Sequence, residues 1–416
     1  MDFKKTNRNT IQGICFYSIR WFLITSILGI LIGSVTAFFL TSLTWVSTQQ
    51  LNYSWLLFLL PFGGALISFL YEKFGKNAIL GNNLVIDQAN GGETPIPLRL
   101  TPLTLFGTLT THLLGGSAGR EGTAIQMGGS IAEYLGHWLH ISKVNRKILI
   151  ICGISGGFSA VFGTPLAGTI FALEVLALGL IRHEALLPSF LSAFFSNLVV
   201  EAYGVTHVRY AMTLAPEQSI SLFLKIILAG IFFGVTGLIF SKSIVLIKKY
   251  YTQWMPNPVI RSFAGGFVII LFVLVINNHS YLGLSLPLLE QAFNGTSHPF
   301  DFLGKLIFTV FTLGAGFQGG EVTPLFEIGA TLGSSLAPLL YLPVGFMAGL
   351  GFIGVFTGAT NTPIACFIMG IELFGSENAV YLFTICVISY VFSGNSGIYS
   401  SQQIVIKKGE LFSIEK

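Results

Sequence analysis

The sequence predicts an all-α, polytopic membrane protein made of two related halves. Three observations predict it: too few charges to coat a soluble surface, long charge-free stretches interrupted by glycine and proline, and an internal repeat. Of the 416 residues, 52% are hydrophobic, 48 are glycine and only 10% are charged, against roughly 25% charged in soluble domains. Mean hydropathy is +0.75. This composition excludes a disordered chain, a nucleic-acid binder and an ordinary cytosolic enzyme. The net charge of +4 is read as basic loop residues that set topology.

Taken in order, residues 1–19 form a polar and basic lead-in with Lys4, Lys5 and Arg8. They are expected in the cytoplasm, and no cleavable signal peptide is evident. Residues 21–71 contain no Asp, Glu, Lys or Arg, enough for two spans at about 20 residues per crossing. Further charge-free stretches cover 148–173, 262–289, 328–371 and 378–406, with shorter ones at 185–200 and 226–241. Several are too short to cross upright, so helices that stop within the membrane are expected. Such breaks are tolerated where the freed backbone groups line an enclosed site. Charged connections are expected at 72–76, 138–147, 242–262 and 407–416, the last three rich in Lys and Arg and therefore cytoplasmic. The organisation expected is a lead-in (1–19), a first membrane repeat (20–210), a second (211–402) and a short tail (403–416).

The repeat is explicit. FSAVFGTPLAGTIFALE at 158–174 aligns with FTGATNTPIACFIMGIE at 356–372, at a constant offset of 198. GREGT at 119–123 aligns with GGEVT at 319–323, so that Glu121 matches Glu321 and Thr123 matches Thr323. Two pairs in the same order mean a duplicated half. Repeated halves with glycine-interrupted helices are a signature of transporters that bind substrate between the repeats. The four loops GGSAGREGT, GGFSAVFGTP, GAGFQGGEVTP and GVFTGATNTP share one plan, a glycine-rich approach that opens an apolar helix. Free N–H groups and the positive dipole end of such a helix favour an anion. Converging N-termini would make an anion cage without basic residues, from which the ion can leave again. Cys15, Cys152, Cys366 and Cys386 fit neither a disulfide framework nor a metal site. The seven histidines show no metal spacing, and no cofactor is expected.

GREGT at 119–123, GGEVTP at 319–324 and the GTPLAG…ALE run at 163–174 resemble the signature segments of the CLC family of anion channels and proton-coupled antiporters, over residues 20 to Tyr399. The resemblance implies two oppositely oriented repeats of many tilted and broken helices. It also implies a homodimer in the membrane lipid with one anion pathway per subunit. The departures from the chloride-transporting pattern are informative. The first anion loop reads GNNLV at 81–85, with Asn82 in place of a serine; the second ends in Thr123 rather than proline; the third carries Glu321, Val322 and Thr323. This combination resembles the fluoride-exporting branch, which implies fluoride/proton antiport in a bacterial inner membrane.

Fluoride is small and strongly hydrated, so dehydrating it needs close, strong donors. Asn82 and Thr323 would supply an amide and a hydroxyl. Asn83, Gly119, Gly122, Thr123, Val322 and Tyr399 complete the expected anion site, Tyr399 standing where the family places a hydroxyl facing the inner side. Glu121, an ionisable group inside a charge-poor membrane region, is functional by default; by resemblance it is the gating, proton-carrying glutamate. Arg120 is expected to brace the loop. Glu321 is the candidate second coupling carboxylate, because Val175 stands where many chloride/proton antiporters carry an inner proton-handling glutamate. Glu174, Glu372 and Glu327 are expected to be structural. The competing readings are a chloride/proton exchanger or passive anion channel of the same family, and an intramembrane enzyme, for which no paired nucleophile and histidine is present.

Overall fold

The charge-free opening of the chain becomes two helices, with the break where tyrosine and serine interrupt the apolar run. The computed structural model describes residues 3–208 and 210–409, with side chains from Tyr17 onward in the first helix. The first half of the chain holds α1 (Phe3–Asn52), α2 (Leu60–Leu70), α3 (Asn82–Ala89), α4 (Leu100–Leu113), α5 (Glu121–Trp138), α6 (Lys143–Phe162), α7 (Pro165–Glu174) and α8 (Leu186–Ala202). The second half holds α9 (Ile220–Trp254), α10 (Pro258–Ile276), α11 (Leu286–Asn294), α12 (Asp301–Gly314), α13 (Val322–Leu340), α14 (Val344–Thr360), α15 (Pro363–Phe374) and α16 (Ala379–Phe392). Among the described residues, one two-residue parallel pair joins β1 (Ala177–Leu178) to β2 (Gln403–Ile404). Six segments among the described residues are long and apolar enough to cross a membrane, while α7, α14, α15 and α16 are apolar but shorter.

The packing repeats with the sequence. α5 lies on α6 as α13 lies on α14, and α1 on α8 as α9 on α16. Gly128 meets Gly153 backbone to backbone, and Gly329 meets Gly351 in the same way. Any Cβ there would collide with the opposing carbonyl, so these glycines set how closely each helix pair approaches. The halves join through α2 against α10 and α7 against α15, in the inverted arrangement. One hydrophobic core runs through both, including Phe158, Phe171, Phe326 and Phe356.

Two stretches differ from expectation. Residues 242–254, expected as a charged connection, are the last turns of α9. Lysine is a good helix former, and Ile247 on that segment packs against Gly314 of α12, so the helix continues past the apolar run. The charge-free stretch 378–406 is helical only to Phe392. Gly394, at φ +67°, turns the chain out of α16, and the remainder lies across helix ends as a strap. Lys4, Lys5, Arg8 and Cys15 fall on the first turns of α1, where side chains are not described, and residues 410–416 of the tail lie outside the described residues.

Candidate functional site

The two repeats meet in a backbone pair. Gly119 N–H donates to Gly320 O at 2.6 Å, and Gly320 N–H donates to Gly119 O at 2.8 Å, an isolated antiparallel bridge. Each glycine stands just before a helix, so the bridge fixes the N-termini of α5 and α13 side by side. The third helix is α3, reached through Gly81 at φ +56°, a conformation that favours glycine. At its start, the amide of Asn82 comes against Gly122. Three helix N-termini therefore converge, which is a built site for negative charge.

That place is occupied by Glu121, which is fully buried. Its carboxylate accepts hydrogen bonds from Arg120 N at 3.1 Å and Thr323 N at 3.1 Å, and from the Thr323 hydroxyl. The side chain thus begins on α5 and ends on the N-terminus of α13. A carboxylate held by backbone N–H groups and one hydroxyl stands where a small anion would be held by the same donors. Protonation removes its charge and weakens that hold. Arg120 contributes through its backbone, while its Nε has no hydrogen-bond partner.

The other expected residues take distinct places. Val322 is buried at the first position of α13. Thr123 spends its hydroxyl on Thr108 of α4, 2.6 Å away, and the backbone of Gly122 faces Gly320 and Asn82. Asn82 is nearly buried and its Oδ1 lacks a partner. Asn83 accepts a hydrogen bond from Ser401 N–H at 3.1 Å, which ties α3 to the segment carrying Tyr399. Tyr399 is buried, its hydroxyl has no partner, and its ring meets Phe171 edge-on at 6.3 Å. Glu321 stands at the N-cap position of α13 but makes no side-chain cap hydrogen bond, and its Oε2 is buried and unpartnered; Lys248 of α9 and Glu121 are charged neighbours. A cavity of about 40 Å³ touches Thr323 and Arg120 and is otherwise walled mainly by Phe162, Phe326, Phe352 and leucines. Phe326 stacks on Phe352 at 3.9 Å; His207 and Tyr210 also line the cavity, so its walls mix aromatic and aliphatic groups with a few polar ones.

The expected four-loop cage is corrected to a smaller one. The N-termini of α7 and α15 do bind carboxylates, but the carboxylates belong to the protein. Glu372 accepts from Leu166 N at 2.9 Å and Ala167 N at 2.7 Å. Glu174 accepts from Ile364 N at 3.2 Å and Ala365 N at 2.8 Å. Each glutamate caps the helix that the other one ends. Val175, next to Glu174, is buried apolar core.

Sequence reasoning passed over Lys305, fully buried on α12 and paired with Glu327 at 3.0 Å. Its Nζ also donates to Ser285 Oγ at 2.6 Å and Gly283 O at 3.1 Å, anchoring the loop before α11. Nothing in the local pattern distinguishes this lysine from a loop cation.

A mainly helical membrane protein with inverted repeats, whose broken helices aim their N-termini at a buried carboxylate, belongs to the ion-transporter class. The chain belongs to the CLC family: the family model described as voltage gated chloride channel matches residues 63–394. The chain is 43% identical over 395 residues to a chloride/fluoride channel protein of Pseudomonas syringae pv. tomato, covering 93% of this chain and 87% of that one. It is 27% identical over 330 residues to an H(+)/Cl(-) exchange transporter of Vibrio cholerae, covering 73% and 69%. Among solved structures, a CLC-type fluoride/proton antiporter superposes with a TM-score of 0.91 at 36% identity, over 94% of this chain and 99% of that chain. A slow cyanobacterial chloride/proton antiporter, 23% identical with a TM-score of 0.80, shares the fold.

Proposed function

We propose that this protein is a secondary-active fluoride/proton antiporter that exports cytoplasmic fluoride across a bacterial inner membrane, acting as a homodimer in which each subunit contains two repeats, 20–210 and 211–402. The observation that carries the reading is the Glu121 carboxylate seated on the N-terminus of α13, held by the backbone and hydroxyl of Thr323. The likeness to a fluoride/proton antiporter of known structure and to a chloride/fluoride channel protein supports the choice of ion. In this reading fluoride and deprotonated Glu121 compete for the same donors. Protonation releases Glu121, fluoride takes the vacated N–H and O–H groups, and return of the carboxylate expels it. Asn82 and Thr323 supply the strong donors that a strongly hydrated ion demands. Glu321 serves as the second carboxylate of the cycle, and Gly119, Gly122, Thr123, Val322, Asn83 and Tyr399 shape the pathway. The test is efflux of fluoride and of chloride from liposomes with internal pH recorded. Fluoride efflux that drives protons inward against a gradient supports the reading. Efflux indifferent to the proton gradient favours a channel, and equal handling of chloride favours a general anion exchanger.

A further inference from the structure

The segment after α16 is tied at every step to elements that shape the site. Ile398 N–H donates to Ala359 O at 2.9 Å, and Gln402 Nε2 to Thr360 O at 3.1 Å, both at the end of α14. Ser401 is held by Asn83 of α3, and β2 lies on β1. Tyr399 sits in the middle of this strap, and its unpartnered hydroxyl does nothing to hold it in place. The position of the phenol is therefore set by the strap backbone together with the packing of its ring against Phe171.

The far end of the strap is a buried cation. Lys408 is 3% exposed. Its Nζ donates to Asn361 Oδ1 at 2.6 Å, Tyr390 O at 2.6 Å and Ser393 Oγ at 2.9 Å, and it lies 3.8 Å from the centre of the Tyr390 ring. Lys408 belongs to none of the ion pairs found among the described residues. Its charge is met instead by the C-terminal ends of α14 and α16, the negative ends of their dipoles, and by an aromatic face. The receiving residue carries its own signal. Asn361 is left-handed at φ +59°, and its repeat mate Gly163 is left-handed at φ +73°. The second repeat thus places an amide where the first has glycine, and uses both of its ends. Oδ1 receives Lys408, and Nδ2 donates to Gln402 Oε1 at 3.2 Å.

We propose that Lys408 is a positioning residue for transport: with Asn361 it latches the strap across the ends of α14 and α16, and so holds the Tyr399 hydroxyl at its end of the anion path. The proposal rests on Tyr399 belonging to that path, so one arm of the test is independent of transport. Full-length Lys408→Met and Asn361→Gly are compared with wild type by amide hydrogen exchange in detergent. Exchange over 398–405 should quicken at least tenfold in both variants, with the starts of α5 and α13 unchanged; unchanged protection overturns the latch. In liposomes, Lys408→Met should raise the apparent KM for fluoride at least fivefold and lower the number of protons moved per fluoride. In a Tyr399→Phe background the same change should add less than twofold. An equal fractional loss in both backgrounds overturns the positioning role and leaves Lys408 as structural support. If wild type does not exchange fluoride for protons, the proposed function fails, while the exchange experiment still decides the latch. Asn361→Gly keeps the backbone geometry at its site and provides the answer should Lys408→Met not fold.

Discussion

Glu174 and Glu372 exchange places at the interface between the repeats: each ends one short helix and caps the N-terminus of the other's. The exchange is what a two-fold relation between the halves requires, since a contact from i to j implies one from j to i. It also uses the same physics as the proposed ion site, a carboxylate on a helix N-terminus, for architecture. Glu174→Leu and Glu372→Leu should each lower stability by about 1–2 kcal/mol, because two backbone N–H groups lose their acceptor. Glu174 is the more buried and should cost more. Thermal unfolding in detergent checks this, and equal melting temperatures for wild type and Glu174→Leu would refute it.

Glu121→Gln should abolish coupling. The amide cannot carry the exchanged proton, and it offers no charge to compete with the anion. Fluoride movement becomes passive or stops. A variant that still drives protons uphill on a fluoride gradient would show that another carboxylate is exchanged.

Thr323→Val removes one hydroxyl while keeping the shape, and leaves the Thr323 backbone donor in place. A hydrogen bond to a charged group is worth about 1.5–3 kcal/mol, so fluoride turnover should fall at least about tenfold. The wild-type preference for fluoride over chloride should exceed tenfold, about 1.4 kcal/mol, and should shrink in Thr323→Val and Asn82→Ser. Competition efflux with both anions measures it.

Glu321→Ala should leave the fold intact but strongly slow both fluoride turnover and proton uptake. Burying a carboxylate oxygen without a partner is costly, which suits a group that changes state in the cycle. Val175→Glu should not rescue the variant, because Val175 is packed into apolar core. Normal turnover and coupling in Glu321→Ala would return Glu321 to a structural role.

Lys305→Met should destabilise by about 3–5 kcal/mol by leaving Glu327 buried and unpaired. Adding Glu327→Leu should recover much of the loss. Urea or thermal unfolding of the single and double variants checks the pairing; a double variant no more stable than Lys305→Met would contradict it.

The sequence by itself determined the membrane class, the duplicated halves and the two loops that carry Glu121 and Glu321. Each rests on a local signal: charge poverty, repeated spacing, or glycine before a helix start. The family followed from those same segments. The tertiary structure decided which glutamate each helix N-terminus holds: those of α7 and α15 are capped reciprocally by Glu372 and Glu174, while that of α13 receives Glu121. It also decided that Thr123 bonds Thr108 while Thr323 bonds Glu121, although the two threonines are repeat mates. Lys305 and Lys408 became buried through partners 22 and 47 residues away in the chain. Long-range pairing of this kind leaves no periodic trace, since hydropathy records how a side chain meets solvent and not which distant group replaces it.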